Sequence, residues 1–129
     1  MEPSKPQEGA GQAGVLFIGN DLMFQSKISS ACRQSGMSLG VIRNPKDLGG
    51  ASISGAPRLI VVDLGLANLD LAEVLASGRQ IWPTTKWLGY GAHVQAERLD
   101  VATELGLDAV LTRGQFDRDM VRVLQGFAE

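Results

Sequence analysis

Apolar residues along this chain fall into two patterns, short unbroken runs and longer stretches spaced at helical intervals. Val15-Leu16-Phe17-Ile18 and Leu59-Ile60-Val61-Val62 are unbroken. A run without polar alternation suits a strand covered on both faces, as in a parallel α/β sheet. Leu39, Val41 and Ile42 predict a shorter strand ending at Asn44-Pro45, Lys86 to Gly91 a weaker one, and Ala109-Val110-Leu111 the last. From Leu22 the residues Leu22, Phe24, Ile28, Ala31 and Cys32 recur mostly at helical spacing, opposite Gln25, Lys27, Ser29 and Arg33, with Gly36 as the stop. Leu69 to Ala76 reads as a helix, as does Gln95 to Leu105 with Gly106 as its stop. So does a final segment carrying Met120, Val121, Val123, Leu124 and Phe127. The segment Asp47 to Pro57 is expected to be a short or irregular helix, because Gly49, Gly50 and Gly55 each cost up to ~1 kcal/mol against alanine.

Strand and helix thus alternate through the chain, which predicts a parallel sheet wrapped by helices on both faces. Of the common doubly wound orders, the five-stranded flavodoxin-like one, 2-1-3-4-5, fits 129 residues. Residues 1–14 are rich in Pro, Gly, Gln and Glu and are expected to form a flexible tail, leaving one domain over 15–129. Gly9-Ala10-Gly11-Gln12-Ala13-Gly14 spells a dinucleotide fingerprint. That fingerprint requires a strand before it and a helix after it, so the match is read as a Gly-rich leader.

In the 2-1-3-4-5 order the carboxyl ends of the first, third, fourth and fifth strands converge. Gly19-Asn20-Asp21, Asp63, Gly91-Ala92-His93 and Thr112-Arg113-Gly114 are therefore expected around one shallow pocket. Asp63 closes a buried strand, a costly place for a carboxylate unless it is paired or solvated. Asp70 and Asp21 read as charges at helix starts, with Asp21 and Asp63 as weak candidates for binding a metal. His93, the only histidine, has no second His or Cys to ligate with it and reads as a loop or capping residue. Cys32 reads as a core residue, as does Trp87, while Trp82 beside Pro83 is expected partly exposed.

Composition narrows the picture further. A net charge of −2, with acidic and basic residues mixed, gives no reason to expect nucleic acid. No apolar run approaches the ~20 residues that cross a bilayer, and one cysteine fits a reducing compartment, so a cytoplasmic location is expected. No nucleophile–base pair is evident, and the chain is not expected to be an enzyme.

The stretch Val61-Val62-Asp63-Leu64-Gly65-Leu66-Ala67-Asn68-Leu69-Asp70 resembles the strand-Asp-loop-Asp pattern of response regulator receiver domains. Gly106-Leu107-Asp108-Ala109-Val110-Leu111-Thr112-Arg113 is similar to the glycine-to-lysine stretch of their last strand. The resemblance spans Val15 to Phe127 and implies that Asp63 occupies the phospho-acceptor position. It also shows where the chain departs from the family. The two metal-holding acidic positions read Gly19 and Asn20, with Asp21 one place late. The hydroxyl residue ending the fourth strand reads Gly91, the phosphoryl-contacting lysine reads Arg113, the proline after it Gly114, and the aromatic switch residue Val110.

The implied function is that of a degenerate, pseudo-receiver-like member of bacterial two-component signal transduction. It would act through protein–protein contacts, without conventional magnesium-dependent phosphorylation. Magnesium usually takes one or two carboxylates with waters and phosphate oxygens, and Asp63 is the one pocket carboxylate sure to point inward. Arg113 is expected to pair with Asp63, its fork matching the carboxylate. The resemblance implies a protein partner, a histidine kinase or a downstream effector, or a homodimer through residues 95–127. At this length no attached output domain is expected. The alternatives are a working phospho-acceptor using Asp63 and a small flavodoxin-like ligand binder.

Overall fold

The computed structural model describes residues 14–50 and 55–128. Their elements run in chain order as β1 (Gly14–Ile18), α1 (Leu22–Gln34), β2 (Ser38–Ile42), a 3-10 turn (Pro45–Gly50) and β3 (Leu59–Asp63). There follow α2 (Leu71–Ile81), β4 (Lys86–Gly91), a 3-10 turn (His93–Gln95), α3 (Ala96–Glu104), β5 (Ala109–Thr112) and α4 (Arg113–Ala128). The strands pair in the order β2-β1-β3-β4-β5, every pair parallel, which is the 2-1-3-4-5 order expected from the sequence.

Side-chain alternation along the strands divides the interior in two. Val15 and Phe17 of β1, Leu59 and Val61 of β3 and Leu88 and Tyr90 of β4 pack with Phe24, Ile28 and Ala31 of α1 and Phe116, Met120 and Leu124 of α4. Leu16, Ile18, Ile60, Val62 and Trp87 pack on the other face with Leu71, Val74 and Leu75 of α2 and Ala102 of α3. Both faces of β1 and β3 are therefore covered, which is why their sequences show no polar alternation. The same parity turns Asp63 toward α1 and α4, and pairs it in register with Tyr90.

Several boundaries differ from the sequence reading. Gly14, assigned to the leader, is the first residue of β1; the remainder of the expected tail, with its fingerprint match, lies outside the described residues. Helix α2 runs five residues beyond Ala76. It passes through Gly78 because the helix lies directly on the Trp87 indole, where any Cβ would collide with the ring. The expected helix between Asp47 and Pro57 begins as a 3-10 turn at Pro45; residues 51–54 lie outside the described residues. Asp21 and Asp70 cap α1 and α2, each carboxylate accepting a backbone N–H three residues on. Trp87 is buried, and Trp82 is half-buried against the α2 face.

Helix α4 starts at Arg113, much earlier than its apolar spacing indicated. Thr112 Oγ1 accepts the Gln115 N–H at 3.2 Å, and Gln115 Oε1 accepts the Thr112 N–H at 2.9 Å. This reciprocal capping box launches α4 straight from β5 and fixes Arg113 in its first turn.

Candidate functional site

Four elements supply the site at the carboxyl edge of the sheet: the ends of β3 and β4 and the first turns of α1 and α4. Asp63 is half-buried and accepts the Gly65 N–H at 2.9 Å. Burial raises its carboxyl above the ordinary value; the Gly65 bond and the Arg113 and Arg98 charges pull the other way. Asp21 Oδ1 caps α1 through the Phe24 N–H at 3.1 Å, and its Oδ2 receives the Arg113 guanidinium. Partial burial opposes the Asp21 charge. The Phe24 N–H and Arg113 outweigh it and hold the Asp21 carboxyl below its usual value.

Arg113 therefore does not make the expected pair with Asp63. The capping role of Asp21 aims its free oxygen across the gap to the first turn of α4, whereas Asp63 is turned onto its own loop. Arg113 also lies over the Phe24 ring, 4.6 Å from its centroid. A second bridge, Lys27 Nζ to Asp117 Oδ1 at 2.8 Å, ties the same two helices one turn further along.

The floor beneath these charges is aromatic. Tyr90 is fully buried, its ring centroid 4.6 Å from Phe24, 5.5 Å from Phe116 and 6.3 Å from Phe17. Its hydroxyl has no hydrogen-bond partner among the described residues. Burial, with the Asp63 and Asp21 charges, raises the phenol's pKa, so it stays protonated. Phe17 occupies the space where a side chain on Gly19 would begin. A Cβ built there lies 2.5 Å from the Phe17 ring and 3.1 Å from the Asp63 Cβ.

The other expected pocket residues fall elsewhere. The missing side chain of Gly91 would point to the opposite face, 3.4 Å from the Leu64 Cβ and 3.5 Å from Leu99. Strand parity thus gives the pocket to Tyr90 instead. Asn20 is exposed, and so is His93 at the head of its 3-10 turn; neither side chain bonds to Asp63, Asp21 or Arg113 among the described residues. Cys32 is buried, and desolvation pushes its thiol up to about 11, which suits a core residue rather than a nucleophile.

The resemblance to receiver domains implies a magnesium ion at this position. Six oxygens in octahedral array are needed. Here Asp63 is turned onto its own loop through the Gly65 N–H, Asp21 is committed to its cap and to Arg113, and the Phe17 ring fills the space above Gly19. No group of three or more His, Cys, Asp or Glu that could hold a metal ion occurs among the described residues. The residues present do not fit the ion.

The sequence reasoning missed Phe17, Phe24, Tyr90 and Gln115. The signals were present: Phe17 and Gly19 are two apart on one strand face, and Thr112 to Gln115 spells a capping box.

No family model matches the sequence, and the comparison with curated proteins gives no match. Among solved structures, the chain is similar to the chemotaxis response regulator CheY4 of Vibrio cholerae, with a TM-score of 0.73 at 14% identity over 90% of this chain and 98% of that one. The BeF3-activated DrrB receiver domain gives a TM-score of 0.73 at 15% identity, over 90% of this chain and 97% of that one. A two-component response regulator from Clostridium difficile gives 0.69 at 18% identity, over 88% and 95%. Among the described residues no helix is long and apolar enough to cross a membrane. The strand order, the layers of helices and these likenesses together show that the chain has the fold of response regulator receiver domains.

Proposed function

We propose that this chain is a degenerate receiver that signals through protein contacts, with Asp63 kept at the acceptor position and magnesium-dependent phosphorylation lost. The observation that carries this reading is the fate of the carboxylates. Asp63 stands alone at the end of β3, while Asp21 is spent on capping α1 and pairing Arg113. Phosphoryl transfer depends on positioning and on neutralising charge over the equatorial oxygens, a task that metal ions share with cationic side chains. Arg113, already satisfied by Asp21 and Phe24, is a poor substitute for both.

On this reading the domain rests in one state, and its partner, a histidine kinase or a downstream effector, recognises that state by surface alone. Incubation with Mg²⁺ and acetyl phosphate, followed by intact-mass spectrometry and borohydride trapping, tests it. Unmodified protein is expected, together with no saturable heat on magnesium titration. An aspartyl-phosphate mapped to Asp63 would establish the competing reading, a working phospho-acceptor.

A further inference from the structure

On the face of the sheet opposite the aromatic floor, an open trough of about 690 Å³ lies between α2 and α3. Leu64 and Leu66 line it, with Leu71 of α2 on one side and Val101 and Leu105 at the other. Val101 is 49% exposed, and Val94, seven residues before it, is 78% exposed. Among the described residues Leu22, Met23 and Ile81 are also exposed elsewhere, and Val101 is the exposed large apolar residue that lines the trough.

The rim is acidic. Asp70 and Glu97 border the trough, and Glu104 follows Val101 by three residues, on the adjacent strip of α3. None of the three takes part in an ion pair among the described residues. Arg98 also lines the trough, its Nη1 donating to Leu64 O at 2.8 Å, while Arg79 Nη2, outside the lining, donates to Gly106 O at 3.1 Å. Apolar surface inside and carboxylates along the border make a surface complementary to one kind of ligand.

We propose that this trough docks an amphipathic helix of a partner protein, its apolar stripe flanked by lysines or arginines. The proposal deepens the reading of the chain as a protein-contact module and rests on it. Its walls are helices, so there is no sheet edge for an added strand, and a helix seats i, i+3, i+4 and i+7 anchors in such a groove. The volume falls within the roughly 300–1,000 Å³ of recognised pockets, enough for several anchor side chains. Basic flanks meet the rim carboxylates, which adds selectivity and speeds encounter.

The test uses the full chain, isotopically labelled, and two synthetic peptides of about 18 residues, long enough for five helical turns. Both carry leucine at i, i+3, i+4 and i+7; one has lysine flanks and the other glutamate flanks. The lysine peptide is expected to shift the Leu66, Leu71, Val101 and Leu105 amides saturably. It should bind at least about tenfold more tightly than its glutamate counterpart. Val101→Asp should abolish binding with the remaining spectrum intact, and Glu97→Lys with Glu104→Lys should invert the preference.

Equal binding of the two peptides, shifts centred elsewhere, or no saturation would overturn the proposal. So would movement of the same amides with protein concentration alone, which would mean that a second copy covers the trough. Phosphorylation of Asp63 in the same sample would refute the proposed function and leave a positive peptide result standing.

Discussion

Gly19 is the residue beside which the Phe17 ring fills the space next to Asp63, and replacing it tests whether that closure is steric. Gly19 is not among the positive-φ residues, so a side chain there meets no backbone strain and any penalty is steric. Gly→Ala at a compatible backbone stabilises by about 0.4–1 kcal/mol through the unfolded chain. Against this, a Cβ at Gly19 would meet Phe17 ring carbons at 2.5 and 2.9 Å, and overpacking of that kind costs about 1–3 kcal/mol. The steric effect is the larger, because the ring is fully buried and has Tyr90 stacked beside it. Gly19→Ala should therefore destabilise by about 1–2 kcal/mol.

Phe17→Leu alone should cost less than the roughly 3–5 kcal/mol of truncation to alanine. Combined with Gly19→Ala it should cost at least about 1 kcal/mol less than the sum, because each change opens the space the other needs. Urea unfolding of the four proteins, with slopes of about 1–3 kcal/mol/M, resolves a difference of this size. Additivity within about 0.5 kcal/mol would refute the steric account. A functional corollary follows. Gly19→Asp with Asn20→Asp should leave magnesium binding undetectable, and adding Phe17→Leu should make it measurable by calorimetry.

The remaining predictions concern the charges and the floor beneath them. Tyr90→Phe should leave stability unchanged or raise it by up to about 1 kcal/mol, since it deletes a buried hydroxyl without a partner; a loss above that size in urea unfolding would place an unseen bond there. Asp21→Ala should cost about 0.5–2 kcal/mol as a lost cap, whereas Asp21→Asn should cost less, because asparagine still caps. The Asp63 carboxyl is raised in the fold, so its charge subtracts stability at neutral pH, and acidification through its folded value restores stability. The Asp21 carboxyl is lowered, so its contribution is present above the ordinary 3.8 and is lost as pH falls through its folded value. Urea midpoints measured from neutral to acid pH should thus show a rise that Asp63→Asn removes and a later fall that Asp21→Asn reduces. Cys32, with its thiol at about 11, should resist a disulfide reagent at mildly alkaline pH until the protein unfolds; immediate reaction would contradict its burial.

The sheet was legible in the sequence because burial on both faces leaves one unambiguous mark, the unbroken apolar runs of β1 and β3. Helix limits were less so. The helix expected over Leu69 to Ala76 continues through Gly78, the residue that lets α2 lie on Trp87, a demand made by a side chain nine positions downstream on another element. Gly114 masked the start of α4, although Thr112 and Gln115 on either side of it form the cap. In the site, strand position could place Asp63 but not choose its partner. Arg113 lies 92 residues from Asp21 and 50 from Asp63, and only the capping geometry of Asp21 decides between them.

The aromatic floor connects these local choices. Phe17, Phe24, Tyr90 and Phe116 form a layer poor in mobile dipoles beneath Asp21, Asp63 and Arg113. A charge placed over such a layer is stabilised less by solvent, so each further carboxylate becomes more costly and each existing ion pair stronger. The fold accommodates one such pair, Asp21 with Arg113, and leaves Asp63 with a raised pKa and a single backbone donor. Burial thus accounts for the raised Asp63 carboxyl, whereas at Asp21 the Phe24 N–H and Arg113 outweigh it. A chain that switches by accumulating negative charge needs a polar, hydrated cradle there. This one has rings, in keeping with the proposed reading of a surface whose shape is recognised rather than changed.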